Sequence, residues 1–135
     1  MNEPLFICRQ AKASDLHYVM ETWVKSNQAT RHDPHYQREQ RLTIEGILNR
    51  PGSCARVAHT VDDEDAILGW AIYQDAPRPV IYYCYVRDGS RRIGIARALL
   101  ASLSARQDEI EFTHKPTFRL ELPPNFAYVP ERNFR

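Results

Sequence analysis

A basic, glycine-containing segment separates an apolar run from a helical pattern in the second half of the chain. It reads VRDGSRRIGIARALLASL, from Val86 to Leu103. Three arginines precede the helical pattern and a fourth follows one turn later: Arg87, Arg91, Arg92 and Arg97. A helix N-terminus carries unpaired backbone N–H groups and a partial positive charge, and Gly94 lets a ligand approach the backbone closely. These residue types therefore predict a local phosphate or pyrophosphate site.

The chain as a whole offers no general attraction for polyanions. Its 135 residues include 18 Lys and Arg against 17 Asp and Glu, which gives a formal net charge of +1. A charge so near zero excludes a strong electrostatic bias toward nucleic acid or an anionic membrane. We expect neither as a partner, and the anion site must be built by the loop itself.

Length and composition predict a single globular domain over residues 1–135, with 43% hydrophobic and 26% charged residues. Cys8, Cys54 and Cys84 lie in apolar stretches at spacings that match no metal or redox pattern, so we expect buried, reduced thiols. The N-terminal residues do not form a signal-peptide pattern, and the longest apolar run, AILGWAIY, is too short to span a bilayer. We therefore expect a cytoplasmic protein.

Hydrophobic periodicity predicts the elements before the loop. A strand is expected at about 5–10, followed by an amphipathic helix with Ser14 as its N-cap. The core stripe of that helix has helical spacing: Leu16, Val19, Met20, Trp23 and Val24. Pro34 is expected to stop regular structure, and a second helix should cover about 35–49.

Three apolar runs then predict three strands: CARVAHTV, AILGWAIYQD and VIYYCYV, at 54–61, 66–75 and 80–86. Short turns between them favour antiparallel pairing. Strict alternation in the third run places Val80, Tyr82, Cys84 and Val86 on one face, and Ile81, Tyr83 and Tyr85 on the other. Because both faces are apolar, this strand should lie in the middle of the sheet.

After the loop, a helix is expected from Gly94 to about Arg106. The stretches EIEFTH and TFRLEL, at 109–114 and 117–122, are predicted as strands. Three prolines in the last thirteen residues, PPNFAYVPERNFR, exclude a long helix there.

The loop contains the pattern R-x-x-G-x-A from Arg91 to Ala96, which is neither a Walker loop nor a G-x-G-x-x-G turn. It resembles the pyrophosphate-binding motif, Q/R-x-x-G-x-G/A, of the GCN5-related N-acetyltransferase (GNAT) family. ICRQAKASDLHYV also resembles the family's N-terminal pattern through Arg9, Ala11 and Asp15. VAHTVDDEDAILGWAIY resembles the hairpin of its second and third strands, with an acidic turn and Gly69. The resemblance covers about residues 5–106.

The resemblance implies the α/β GNAT fold, a mixed, mostly antiparallel sheet with helices on both faces, here with a shortened C-terminal part. It also implies acetyl-CoA as cosubstrate. The pyrophosphate would lie against the backbone of the loop, formed by Arg91, Arg92, Ile93, Gly94, Ile95 and Ala96, with Arg97 adjacent to it. The end of the preceding strand, Tyr85 and Val86, would pair with the pantetheine arm, commonly beside a bulge that splays the fourth and fifth strands.

The implied reaction is direct transfer of an acetyl group from acetyl-CoA to a primary amine of a small molecule, peptide or protein. No covalent enzyme intermediate is needed, and we expect no catalytic role for Cys84. The family's fourth helix, with its thiolate-protonating tyrosine, is not evident after residue 107. Tyr128 and Tyr83 are therefore the catalytic candidates, while His59 and His114 are open alternatives for a base.

Other readings stay open from the sequence. The chain could be a degenerate GNAT-fold protein that binds CoA or a protein partner without turnover, as a regulator or adaptor. The arginine loop could instead bind an acidic protein surface, and the acyl group could be longer than acetyl. RHDPH, at 31–35, offers too few ligands for a metal, and we expect none. Aromatic residues in the tail could cover the core or dock a second subunit to form a homodimer: Phe126, Tyr128 and Phe134.

Overall fold

A computed structural model describes residues 5–26, 33–74, 79–87, 89–90, 93–101, 110–112 and 126–128. The described helices are α1 (Leu16–Ser26), α2 (Pro34–Leu48) and α3 (Ile95–Leu99). The described strands are β1 (Ile7–Gln10), β2 (Ser53–Thr60), β3 (Asp63–Gln74), β4 (Val80–Val86), β5 (Ile110–Phe112) and β6 (Phe126–Tyr128). Among these residues, no helix has the length and apolar character that crossing a membrane requires.

The described strands form one sheet in the order β1-β2-β3-β4-β5-β6. The first four strands pair antiparallel with their neighbours in sequence. β5 lies parallel to β4, and β6 lies parallel to β5. This confirms the expected mixed, mostly antiparallel sheet.

Two apolar clusters cover the two faces of the sheet. One contains the buried stripes of α1 and α2, including Val19, Trp23 and Ile44, packed on Trp70 of β3. The other contains the buried face of α3, from Ile95 to Leu99, packed on residues such as Ala58 and Ala71. Helices therefore lie on both faces, as expected, and the core stripe predicted for α1 supplies Val19, Trp23 and Val24 to the first cluster.

The first helix starts differently from the prediction. A 3-10 turn over Ala13–Asp15 precedes α1, and the Asp15 carboxylate accepts a hydrogen bond from the Lys12 backbone N–H at 2.8 Å. The prediction of Ser14 as N-cap is therefore wrong. Asp15 is buried, and Arg9 of β1 donates to it at 2.7 Å, so the carboxylate also ties the helix start to the sheet.

The second helix begins at Pro34 instead of after it. The Asp33 side chain accepts hydrogen bonds from the backbone N–H groups of His35, at 3.0 Å, and Tyr36, at 3.4 Å. Proline suits the first position of a helix because the N–H that it lacks has no partner there. The expectation that Pro34 stops regular structure is wrong, although the predicted range of 35–49 nearly coincides with α2.

β4 contains a bulge that the alternating pattern did not reveal. Ile72 pairs with Tyr83, and the next residue of β3, Tyr73, pairs with Ile81, so Tyr82 is an extra residue. An extra residue reverses the faces beyond it. Tyr83 and Tyr85 therefore join Tyr82 on the α1–α2 side, while Ile81, Cys84 and Val86 lie on the α3 side. The face assignment predicted from strict alternation is correct up to Tyr82 and wrong after it.

The later part of the chain is described only in short segments. α3 begins where the helix was expected, and the predicted continuation to Arg106 passes outside the described residues. β5 lies within the predicted strand at 109–114, whereas the strand predicted at 117–122 falls outside the described part. β6 is a strand that the sequence pattern did not predict.

Candidate active site

The candidate site lies where β4 ends and the chain turns into α3. The backbone N–H of Arg87 donates to the Leu68 carbonyl of β3 at 2.8 Å, which holds the exit of β4 against its neighbour. Ser90 N–H then donates to the Arg87 carbonyl at 3.0 Å and closes a turn that contains Gly89, at φ 87°. Arg91 and Arg92, both predicted at this site, lie outside the described residues.

Gly94 opens α3 in the left-handed region, at φ 89° and ψ 12°. This backbone conformation favours glycine, since a side chain there is strained. A Cβ built on Gly94 would meet no atom within 4 Å, so the space beside this backbone is open. Its carbonyl accepts from Ala98 N–H at 3.0 Å and begins the helical hydrogen bonding.

The residues around Gly94 divide between core and surface. Ile95 and Ala96 are buried against the sheet, and they fix the first turn of α3. Ile93, 40% exposed, and Arg97 face outward on either side of them. The structure thus brings together Ile93, Gly94, Ile95, Ala96 and Arg97 in one short segment next to the end of β4.

Gly69 of β3 makes this close packing possible. A Cβ at this position would lie 2.7 Å from the Tyr85 carbonyl oxygen, 3.1 Å from Cγ2 of Ile95 and 3.4 Å from Cα of Val86. The missing side chain lets β4 and the start of α3 converge over β3. The sequence analysis named Gly69 only as part of the resemblance to a family hairpin and did not predict this close contact. A glycine within a strand was the available signal, because it often marks a bulge or a close backbone approach.

A bulge in β3 lies directly beside Gly69. Ala58 of β2 pairs with Gly69, but the following residue, His59, pairs with Ile67, so Leu68 is the extra residue. The Leu68 carbonyl is the group that accepts the Arg87 hydrogen bond. The start of α3 is therefore supported by three adjacent features: the bulge at Leu68, Gly69, and the hydrogen bond between Arg87 and Leu68.

The ladder between β4 and β5 ends next to the other bulge. Its described pairs are Val80 with Glu111 and Ile81 with Phe112, and Tyr82, the extra residue of β4, follows immediately. From Tyr83 to Val86 the described pairing of β4 is with β3. A bulge at this place agrees with the arrangement that the sequence resemblance implied.

The aromatic side chains of β4 lie on the α1–α2 face. The Tyr85 ring stacks on Trp70, with centroids 5.7 Å apart and planes 26° apart. The Tyr83 ring packs against Trp23 at 5.2 Å and Trp70 at 5.5 Å. Trp70 is fixed in turn by its indole N–H, which donates to the Thr22 hydroxyl of α1 at 2.7 Å.

Tyr18 of α1 completes this aromatic group. Burial raises the pKa of the Tyr18 phenol, and Tyr85 raises that pKa further, both electrostatically and through a side-chain hydrogen bond. The Arg87 guanidinium acts in the opposite direction and lowers it. Tyr18, Tyr85 and Arg87 therefore lie within interaction distance at the end of β4.

The remaining candidates from the sequence are placed as follows. Burial raises the pKa of the Cys84 thiol to about 12, so the thiol stays protonated near neutral pH, which agrees with the expected lack of a nucleophilic role. His59 is buried, and its Nδ1 lies 2.8 Å from the Thr60 carbonyl. Tyr128 lies in β6, and its backbone pairs with Phe112 of β5. The Tyr128 side chain and the whole of His114 lie outside what the structure describes.

Comparison with protein-family models and with curated protein sequences finds no match. Comparison with solved structures finds many. A ribosomal-protein-alanine N-acetyltransferase from Brucella melitensis matches with a TM-score of 0.51 and 20% identity over 73% of this chain and 68% of that one. A Pyrococcus furiosus protein provisionally assigned as an acetyl transferase matches with a TM-score of 0.62 and 16% identity over 84% and 85% of the two chains.

The matching structures do not all carry the same functional name. A Bacillus halodurans protein named as a transcriptional regulator matches with a TM-score of 0.51 and 17% identity, over 82% of both chains. Two others are described as GNAT-family acetyltransferases, and this chain spans 64% and 63% of their lengths. At such identities the likeness concerns the fold. This chain has the fold of the GNAT acetyltransferases, which is the fold that its loop sequence led us to expect.

Proposed function

We propose that this protein is a GNAT-family N-acetyltransferase that moves an acetyl group from acetyl-CoA to a primary amine. The acceptor would be a small molecule, a peptide or a protein. The observation that carries the proposal is the conformation of Gly94: a left-handed glycine with open space beside it begins α3 directly after β4. In the GNAT fold, the sequence resemblance assigns this position to the pyrophosphate of the coenzyme.

The chemistry of the loop fits such a ligand. Backbone N–H groups at the start of a helix are directed toward an anion, and nearby arginines add charge. Arg87 and Arg97 are exposed cations of the described segment, and Arg91 and Arg92 stay predictions for the same role. Because the net charge of the whole chain is only +1, we propose that an anion would bind at this local group of cations.

The reaction proposed is direct. The amine nitrogen attacks the thioester carbonyl carbon, the C–S bond breaks with its electron pair on sulfur, and the amine loses a proton while the thiolate gains one. Binding both reactants in one orientation supplies much of the rate increase in such a transfer. Tyr128 and Tyr83 remain the sequence-based candidates for the proton donor.

Calorimetric titration with acetyl-CoA tests the coenzyme site. We expect the native protein to bind, and Gly94→Glu to lose detectable binding because it places a bulky carboxylate where the phosphates should lie. Gly46→Glu is the matched control: it adds the same side chain on α2, where a Cβ also meets nothing within 4 Å. Retained binding by Gly94→Glu, or equal loss in both folded variants, would contradict the proposed site.

Acetyl transfer is tested separately by mass spectrometry. Acetyl-CoA is incubated with a polyamine, an aminoglycoside, a lysine-containing peptide and a peptide with an N-terminal alanine, the last because one structural neighbour bears a name of that type. A mass increase of one acetyl group that requires the protein supports the proposal. Tight acetyl-CoA binding without transfer to any amine would favour the alternative of a coenzyme-binding regulator.

A further inference from the structure

The first strand forms an outer edge of the sheet. Within the part of the chain that the structure describes, β1 pairs with β2 and with no strand on its other side. The Ala11 N–H donates to the Ala55 carbonyl at 2.8 Å, so the odd-numbered residues of β1 direct their backbone groups toward β2. The alternate residues, Phe6, Cys8 and Gln10, therefore direct their N–H and C=O groups away from the sheet.

The two ends of this edge differ. The Arg9 guanidinium donates to the Gln10 carbonyl at 3.2 Å and also binds the Asp15 carboxylate at 2.7 Å. The last outward carbonyl of β1 is thus already occupied. Among the described residues, no hydrogen bond closes the outward groups of Phe6 and Cys8. Unpaired groups of this kind can bind a further strand.

Exposed apolar side chains lie together at the open end of the edge. Leu5 is 69% exposed, Ile7 39% and Val61 47%, and they are three of the six large apolar residues exposed in the described ranges. Ile7 pairs with His59, so Leu5, two residues before Ile7, and Val61, two residues after His59, lie at the same corner of the sheet. Exposed apolar residues that cluster indicate an interaction surface.

Two copies of β1 would complement each other at this end. If a two-fold axis passes at Ile7, the strands run antiparallel, with Ile7 opposite its own copy and Phe6 opposite the second copy's Cys8. Each pair of Phe6 and Cys8 would exchange two backbone hydrogen bonds. This register uses the outward groups that are free and leaves the occupied Gln10 carbonyl outside the pairing.

Charge favours the same register. An axis at Arg9 would bring two guanidinium groups together, whereas an axis at Ile7 places each Arg9 opposite the second copy's Leu5. The Arg9 charge stays paired with Asp15 of its own chain, and Lys12 lies beyond the paired residues. Charged side chains commonly protect sheet edges from pairing; here they lie at the other end of the edge.

We infer that β1 is a dimerisation edge, where a second copy of this chain pairs antiparallel about Ile7 and joins two six-stranded sheets into one. The paired segment is short, so the buried area lies below the about 1,200 Å² of standard complexes. We therefore expect a weak dimer, with a Kd of about 1–100 μM. The inference is independent of the proposed function, because β2 and β3 separate β1 from β4.

Sedimentation velocity of the full chain under reducing conditions tests the dimer, at concentrations up to about 200 μM. Leu5→Lys should raise the Kd by at least about tenfold, because the symmetry brings two new charges into one interface. Leu42→Lys is the matched control: it places the same charge on a leucine of similar exposure, 61%, on α2. The control should dimerise like the native protein.

An Ile7→Cys variant tests the register. Opposite residues that exchange no backbone hydrogen bonds have Cα atoms about 4.5 Å apart, a distance at which a disulfide can form. Mild oxidation should link two chains through position 7, as mapped by mass spectrometry of the peptides. Leu42→Cys is the control for random collision, and Cys8, opposite Phe6 in this register, should not link to its own copy.

A native protein that stays monomeric at about 200 μM overturns the inference. It is also overturned if Leu5→Lys leaves the dimer intact, if Leu42→Lys weakens it equally, or if Ile7→Cys links no faster than Leu42→Cys. A dimer held by the aromatic residues of the tail would give these last results. Circular dichroism checks the fold of each variant, and acetyl-CoA titration of Leu5→Lys tests the coenzyme site separately.

Discussion

The two faces of the sheet are built from side chains of very different size. On the α1–α2 face, Trp23, Trp70, Tyr83 and Tyr85 form a continuous aromatic cluster. On the α3 face the middle of the sheet is lined with small residues: Ala58, Ala71 and Cys84, with Gly69 at the contact with α3. Large rings fill the space under two helices on the first face, whereas small residues let a short helix approach the backbone on the second.

β4 contributes side chains to both of these clusters. β4 presents Tyr85 to the aromatic face and Val86 to the α3 face, and its exit leads into the loop before Gly94. The missing side chain at Gly69 of β3 lets α3 lie close to the sheet, and the Trp70 indole of β3 supports the Tyr85 ring. Each of the following substitutions removes or alters one side of this comparison.

The largest effect is expected for Trp70→Ala. Trp70 is fully buried, contacts three other aromatic rings and donates a hydrogen bond to Thr22. Removing the indole should lower the free energy of unfolding by about 3–5 kcal/mol, as measured by urea denaturation. A loss below about 1 kcal/mol would mean that the cluster does not support this face.

Gly69→Val should cause the next largest loss in the free energy of unfolding. The new side chain would overlap the Tyr85 carbonyl oxygen and the Ile95 side chain, so β4 and α3 must separate. We expect a loss of about 1–3 kcal/mol in urea denaturation together with weaker acetyl-CoA binding in calorimetry.

Gly46→Ala is the matched comparison for Gly69. Gly46 lies in α2 with open space around it, so an added methyl should stabilise the protein by about 0.5–1 kcal/mol. A loss of stability at Gly69 and a gain at Gly46 would distinguish a glycine that close packing requires from one that the helix only tolerates. Stabilisation by both substitutions would contradict the close approach at Gly69.

Asp15 links the start of α1 to the sheet and should make stability depend on pH. The hydrogen bond from Arg9 lowers the pKa of the Asp15 carboxyl, although burial opposes this. A lowered pKa in the folded state stabilises the protein above the carboxyl's unfolded pKa, about 3.9. That stability is lost as the pH falls through the lower, folded value.

Asp15→Asn tests this link in urea denaturation at a series of pH values. We expect the variant to lose about 1–3 kcal/mol at neutral pH and the difference from the native protein to shrink below about pH 4. A difference that stays constant down to about pH 2 would show that the ion pair does not set the acid limit. Ser14→Ala should have little effect, since Ser14 does not cap the helix.

The smallest effect is expected for Cys84→Ala. Desolvation raises the pKa of the Cys84 thiol to about 12, which keeps the thiol protonated at neutral pH, so the substitution should change the rate of the proposed acetyl transfer by less than about threefold. A loss of a hundredfold or more in a folded variant would contradict direct transfer. The native protein should also show slow reaction of this thiol with an alkylating reagent until it is unfolded.

Much of the local structure could be predicted from the sequence. The stripe from Leu16 to Val24 fixes a buried helix face because apolar residues recur at helical spacing. The run from Val80 to Val86 indicates a central strand because it is apolar on both faces. The pattern around Gly94 pointed to an anion-binding loop and, through its resemblance, to the fold that the structure has.

Where local patterns failed, contacts between distant residues decided the result. Pro34 begins α2 because Asp33 caps it, and Asp15 replaces Ser14 as the anchor of α1 because Arg9 of β1 meets it there. The order of the strands, with β5 parallel beside β4, likewise depends on pairing between residues far apart in the chain.

The sequence by itself predicted an anion-binding loop around Gly94, and it determined most of the described helices and strands and that β4 is apolar on both faces. These properties follow from residue type and spacing within a few positions. Only the tertiary structure decided that Tyr82, Tyr83 and Tyr85 all lie on the α1–α2 face of the sheet. The bulge at Tyr82 is set by the register between β3 and β4, and a shift of one residue in register exchanges the faces of every side chain that follows.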